Sequence, residues 1–337
     1  MFSFTPADLI TFPRSEAPKL IVFVDAEEEF RWNTFSSQSI SVRNIAAQMR
    51  AQEILNQFGM KPTYLVDYAV ASQAEGIEPL KEILEAGDCG IGAQLHPWVN
   101  PPIDEEITIH NTYPGNLPAA LERAKIDRLT AAIVQNFGVR PRVFKAGRYG
   151  AGPNTAAALI EAGYWIDASV MPLTDFSKKG GPDYTESPAQ PYWIDRDRRL
   201  LEIPNTVGLV GLMDRINRRG MSTLLSNPSI ACRIPGLLSR LGLLERIRLT
   251  PEGISLDEAK RMTLSLFQRD RRLFVLSYHS SSLLPGGSPY VANEAELAKF
   301  LGWLDGYMRF FFGALGGQPT TAEDVLSYAQ GRLRQAA

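Results

Sequence analysis

The stretch LIVFVDAEEEF, residues 20–30, decides how this chain is read. An apolar run of strand length, Leu20 to Val24, stops abruptly on groups able to hold a metal or move a proton: Asp25, Glu27 and Glu28. The design recurs in IGAQLHPWVNPP, residues 91–102, which stops on His96, and in RLFVLSYHSSSL, residues 272–283, which stops on His279. Two of the three histidines therefore directly follow strand-like runs. That placement is expected when parallel strands deliver side chains to a common face.

Outward from these runs, strand-length apolar segments alternate with helix-length amphipathic ones. Residues 43–58 put Ile45, Met49, Ile54 and Leu55 on one helical face, with Gly59 as the stop. PTYLVDY reads as a strand, IEPLKEILEAG as a helix, CGIGAQL as a strand ending at His96, and residues 117–137 as a long helix closed by Gly138. PRVF, a helix opened by Pro153, YWIDASV, and a hairpin over PYWIDRDRRLLEIP with Asp195–Arg198 as its turn follow. LFVLSY is the last clear strand, between helices near 256–269 and 293–314. Repeated strand–helix units argue for a parallel sheet with helices outside it, and the number of units suits a distorted (β/α) barrel, TIM-like. Asp25, His96, Lys145, Asp167 and His279 all lie at or just beyond the C-terminal ends of their strands, the functional face of such a barrel. No G-x-G-x-x-G or Walker-type loop follows a strand, which disfavours a nucleotide fold.

Composition sets wide bounds. The 337 residues are 45% hydrophobic and 21% charged, with net charge −2, so nothing electrostatic points to nucleic acid. Cys89 and Cys232 form no CxxC pair and read as reduced packing residues. The first twenty residues lack a basic start followed by an apolar core, and no apolar run is long enough for a membrane span, so the expected compartment is the cytoplasm. The expected organisation is one barrel domain over 1–337, interrupted by a basic helical insertion at 207–252. There Arg215, Arg218, Arg219, Arg233, Arg240, Arg246 and Arg248 are set against Asp214 and Glu245. This is either a solvated basic face packed on the barrel or a cradle for an anionic or lipid-linked substrate.

Asp25 and Glu27 are two apart, so on a strand their side chains share a face. One carboxylate can then bind a divalent cation while the other takes a proton from water. Pro97, Pro101 and Pro102 stiffen the loop that aims His96 and Trp98. His279 leads into SSSLLPGGSPY, small residues that a ligand can approach, whereas His110 reads as a loop histidine. FKAGRYGAG, residues 144–152, supplies Lys145 and Arg148, cations to orient a carboxylate such as Asp25 or to meet a charged substrate. Trp32, Trp98, Tyr149 and Trp165 are placed near strand ends, where aromatic faces suit sugar rings or simply pack.

The order of these motifs over roughly residues 18–315 resembles the NodB-homology polysaccharide deacetylases, carbohydrate esterase family 4, in particular the WalW-like sub-group. The stations are VDAEEEF, QLHPWVNPP, FKAGRYG, YWIDASVMP and VLSYHSSSL. The resemblance implies a distorted barrel of about seven strands, with Asp25 as general base, His279 as the acid that protonates the leaving amine, and Glu27 and His96 as metal ligands. It implies a divalent cation (zinc, cobalt, manganese or nickel) and a carbohydrate substrate. Asn100 stands where a second histidine ligand is usual, and its amide oxygen favours harder cations. Lys145 stands at the usual arginine, Gly147 at the usual proline, and Arg148 is additional. The candidates are thus Asp25, His279 and Arg148 for catalysis, Trp98, Lys145, Tyr149 and Asp167 for substrate, and Glu27, His96 and Asn100 for the metal. Two other readings stand beside hydrolysis of an N-acetyl group: an inactive glycan-binding or scaffolding barrel, and a metal-independent C–N hydrolase.

Overall fold

The computed structural model describes residues 8–30, 34–211 and 245–336. Trp32, Cys232 and five of the insertion's arginines (Arg215, Arg218, Arg219, Arg233 and Arg240) lie outside the described residues. The chain opens with β1 (Lys19–Ala26), α1 (Met49–Asn56), β2 (Thr63–Val66), α2 (Tyr68–Ser72), α3 (Ala74–Glu85) and β3 (Gly90–Leu95). Next come α4 (Ala119–Phe137), β4 (Val143–Ala146), α5 (Thr155–Ala162), β5 (Ile166–Asp167), β6 (Tyr192–Trp193) and β7 (Leu201–Glu202). The last third holds β8 (Val207–Val210), β9 (Glu245–Arg248), α6 (Leu256–Gln268), β10 (Leu273–His279), α7 (Glu294–Met308), β11 (Gln318–Pro319) and α8 (Ala322–Ala336).

The main sheet runs β10-β1-β2-β3-β4-β5-β7-β6, parallel except at the β6–β7 hairpin, and β11 pairs with the outer end of β1. It curls into the expected (β/α) barrel but is not closed by a ladder. The gap between β7 and β10 is spanned by side chains and by the antiparallel ribbon β8–β9. The Thr206 hydroxyl accepts the Val275 N–H at 2.8 Å, Leu249 O accepts the Ser277 N–H at 3.2 Å, and Ser277 donates to Asn205 Oδ1 at 3.2 Å. Of the segment 207–252, read in the sequence as a helical insertion, the described parts include two strands, β8 at its start and β9 shortly before its end.

Strand periodicity sorts the core into two layers. Along β1, Ile21 and Phe23 point into the barrel with Leu65, Val143, Ile166, Leu201 and Val275, and α8 caps this inner core with Val325 and Leu326. Leu20, Val22, Val24 and Ala26 face the helices. Deleting a fully enclosed ring such as Phe23 costs about 3–5 kcal/mol. Asp25 follows Phe23 in the inward phase, so the register that packs the core also points this carboxylate into the mouth of the barrel. β4 reaches two residues further than the apolar run PRVF suggests, because Lys145 pairs in register with Gln94 of β3. Lys145 is therefore a strand residue facing inward, not a loop charge.

Candidate active site and metal centre

Parallel pairing of β1 and β10 sets Asp25 directly beside His279. His279 Nε2 lies 3.6 Å from Asp25 Oδ2, and Lys145 crosses from β4 to hold both Asp25 oxygens at 2.7 and 2.6 Å. Burial works against the charge on Lys145, but Asp25, with help from Tyr149 and Glu27, outweighs it and the ammonium is held above its ordinary range. On its other side His279 is fixed by Glu252, which accepts from Nδ1 at 2.7 Å and from the His279 N–H at 3.0 Å. Ser282 donates to the same carboxylate at 2.6 Å. Burial opposes protonation of His279, yet Glu252, Glu27 and Asp25 overcome it and raise its pKa to about 9. At neutral pH this imidazole is a cation between two carboxylates.

The acidic run after β1 is split three ways. Glu29 turns outward to Arg43 at 2.7 Å. Glu28 turns toward β2 and β3: it accepts from Trp98 Nε1 at 2.6 Å and faces His96 Nδ1 at 2.8 Å, while its N–H donates to Asp67 at 2.9 Å. Glu27 turns inward, its N–H donating to Ser280 Oγ at 3.0 Å and its Oε2 lying 3.6 Å from His96 Nε2. Burial raises Glu27 and Asp67 well above the carboxylate range and brings Glu28 to about 7, while it lowers His96 to about 4. His96 is thus a neutral imidazole. The carboxylates at Nδ1 put its proton there, leaving the Nε2 lone pair toward Glu27.

Two donor sets share His96. Glu28, Asp67 and His96 each place one ligand atom within 4.8 Å of the others. Their oxygens are already served by protein donors, from Trp98, His96 and the N–H groups of Glu28 and Val70. On the inner side Glu27 Oε1 is buried with no hydrogen-bond partner, and Gln94 aims its amide nitrogen at Glu27 Oε2 (3.4 Å) and His96 Nε2 (3.2 Å). An orphaned carboxylate oxygen beside a neutral imidazole nitrogen is a donor pair that fits a divalent cation. Glu28 then serves to orient His96, as carboxylates commonly do behind metal-binding histidines.

Of the residues singled out in the sequence, Asp25, Glu27, His96, Lys145 and His279 come together. Asn100 donates its amide nitrogen to Lys125 O at 3.0 Å and Pro101 O at 2.7 Å, tying the loop to α4, while its Oδ1 is buried without a hydrogen-bond partner. Asp167 sits at an outward position of β5, hydrogen-bonded by Ser169 and paired with Glu202, so its carboxylate belongs to the outer layer. Arg148 turns to Thr112 and to Tyr113 OH, and stacks on Phe35 and Tyr113, leaving Asp25 to Lys145. Trp98 is 1% exposed and stacks on His96 at 4.3 Å, which makes it a buried wall behind that imidazole rather than an open sugar platform. Tyr149, in contrast, lines the cleft leading to His279, with Lys145 4.8 Å from its ring centre. Trp165 precedes β5 at the opposite end of the strands, against Arg142.

Sequence reasoning missed Asp67, Gln94 and Glu252. Asp67 carries the same signal as Asp25, an acid directly after a strand-length apolar run. Gln94 has the inward phase of β3. Glu252 carries no local signal, since it lies in a loop 27 residues before the histidine it holds.

No family model and no curated protein matches the sequence. Among solved structures, a Mycobacterium smegmatis protein proposed to be a polysaccharide deacetylase superposes over 98% of this chain and 96% of its own, with TM-score 0.55 and 16% identity. A 4-alpha-glucanotransferase from Thermococcus litoralis is similar over 93% of this chain and 40% of its own, with TM-score 0.52 and 13% identity. The alpha-amylase AmyC from Thermotoga maritima is similar over 93% of this chain and 75% of its own, with TM-score 0.50 and 9% identity. At such identities the likeness is one of fold: the chain is a curled, mainly parallel (β/α) barrel of the kind seen in the mycobacterial protein.

Proposed function

We propose that the chain hydrolyses an N-acetyl amide on a sugar or polysaccharide precursor, as a divergent relative of the NodB-homology deacetylases in their WalW-like branch. The observation that carries this reading is the pair Asp25 and His279, 3.6 Å apart on adjacent strands, each with its own counter-charge in Lys145 and Glu252. Asp25 takes a proton from the attacking water, and His279, a cation at neutral pH, gives one to the departing nitrogen. Glu27 and His96 hold a divalent cation, with Glu28 and Asp67 orienting the imidazole. When bound, the cation polarises the acyl oxygen and acidifies water. Atoms balance as amide plus water giving acetate and a free amine. Tyr149 contacts the sugar, and Arg148 arranges the loop at residues 109–113 beside it. In this reading the whole chain is one barrel domain acting in the cytoplasm on a precursor. Among the described residues no helix is long and apolar enough to cross a membrane.

One observation favours the second reading, an inactive glycan-binding barrel. Asp25 and Glu27 are only 2% and 1% exposed, and Lys145 occupies both oxygens of the intended base. Acetate release from short N-acetylated oligosaccharides, with and without chelator and alongside elemental analysis, separates the readings. Chelator-sensitive release that Asp25→Asn abolishes supports deacetylation. Release that survives chelator points to a metal-independent C–N hydrolase, and sugar binding without release points to the inactive barrel.

A further inference from the structure

The strand β9 places a cation on the lining of the cleft beside His279 for which the chemistry above has no use. Ile247 and Leu249 are buried in the outer core, so the alternate residues Arg246 and Arg248 project from the opposite face of the strand. Arg246 is committed to Leu173 O and Thr174 Oγ1 at 2.9 and 2.8 Å. Arg248 instead lines the cleft together with Tyr149, Met171, Asn205, Thr206 and His279. It hydrogen-bonds Tyr290 and lies near the Tyr149 phenol and Glu252. Glu252 is engaged first by His279 and Ser282: Oε1 accepts from the His279 N–H and Ser282, and Oε2 from His279 Nδ1, so it reaches Arg248 only through space.

Two ion pairs lie at the inner end of the cleft, Asp25 with Lys145 and Glu252 with His279. Arg248 makes no ion pair within 4 Å with a carboxylate among the described residues, and it stands half-buried beside the proton donor. A guanidinium is a rigid fork of donors suited to two oxygens of one anion, and low-dielectric walls strengthen that attraction. We propose that the substrate is an acidic N-acylated sugar, and that Arg248 binds its carboxylate or phosphate while His279 meets the leaving nitrogen. The substrate class rests on the deacetylase reading; the anion site rests on the cleft alone.

Three sugars that differ only at C6 test it: N-acetylglucosamine, its 6-phosphate, and the corresponding N-acetylated uronic acid. Binding is followed by calorimetry and acetate release by an enzymatic assay, in the wild type, Arg248→Gln and Arg248→Lys. An anionic sugar should bind the wild type at least about tenfold more tightly than the neutral one, the size of one charge-assisted pair. Arg248→Gln should bring that ratio near one, with Arg248→Lys in between, and whichever of the two anionic sugars shows the advantage names the anion. An unchanged ratio in Arg248→Gln, equal binding of all three sugars by the wild type, or binding of none overturns the proposal. Release of acetate with no anionic advantage leaves the deacetylase reading standing without Arg248. An anionic advantage in binding with no acetate released does the reverse.

Discussion

Replacing Glu252 with glutamine isolates the interaction that makes His279 an acid. In the wild type the imidazole pKa rises from 6.5 to about 9. That difference corresponds to roughly 3 kcal/mol in favour of the charged form. The carboxylate at 2.7 Å from Nδ1 is the largest of the groups that raise it, ahead of Glu27 and Asp25. Two unit charges about 4 Å apart attract by about 4 kcal/mol at the effective dielectric of a protein surface, about the size of the net rise, while Glu27 and Asp25 help to offset the burial that opposes it. Glu252→Gln keeps an acceptor for Nδ1–H and removes the charge, so the pKa should fall by about two units, to the ordinary histidine range or below it. The chain has three histidines, so ring-proton NMR across pH 5–10 can follow His279 with little overlap, with His279→Gln identifying the signal. The alkaline limb of kcat/KM, set by loss of the acid, should move down by the same amount. A wild-type His279 titrating near 6.5, or a shift below about one unit in Glu252→Gln, would refute the argument that this carboxylate charges the imidazole.

Other expectations follow from single contacts. Lys145→Met leaves the Asp25 carboxylate buried without its cation and should cost about 3–5 kcal/mol in urea unfolding; a loss under about 1 kcal/mol would mean that water reaches Asp25. Glu122 is pushed up to about 7 by burial, so it binds a proton in the folded chain that the unfolded chain has already lost. Its contribution is fully present below pH 4.5, declines as pH rises, and is gone above 7, a loss of roughly 3 kcal/mol in all. Glu122→Gln should flatten the difference between stabilities measured at pH 5 and pH 7; an equally steep decline in the variant contradicts this. Cobalt titration should show one visible-absorbing site that Glu27→Gln or His96→Ala removes, and Asn100→His should leave its affinity within about threefold, because that side chain is committed to α4. A tenfold gain in Asn100→His would place residue 100 in the metal shell after all.

By itself the sequence determined the architecture and the face that carries the chemistry. Runs such as Leu20–Val24 and Leu273–Tyr278 are strands because they are short, apolar and bounded by turns, and their alternation with amphipathic helices requires a parallel sheet. Period-two alternation then aims Asp25 and His279 inward whatever the rest of the fold does. What only the tertiary structure decided begins where that periodicity stops. Glu27 and Glu28 are neighbours in the chain but serve opposite sides of His96, because the backbone beyond β1 is held by Ser280 and Asp67 rather than by a ladder. Lys145 finds Asp25 across 120 residues, and Glu252 finds His279 from a loop. Asn100 and Arg148 have suitable chemistry, yet the first is drawn to Lys125 O and the second to Thr112 and Tyr113. In a loop no repeat dictates where a side chain points. The deciding term is which buried donor or acceptor would otherwise go unpaired, and that is settled only by the packed fold.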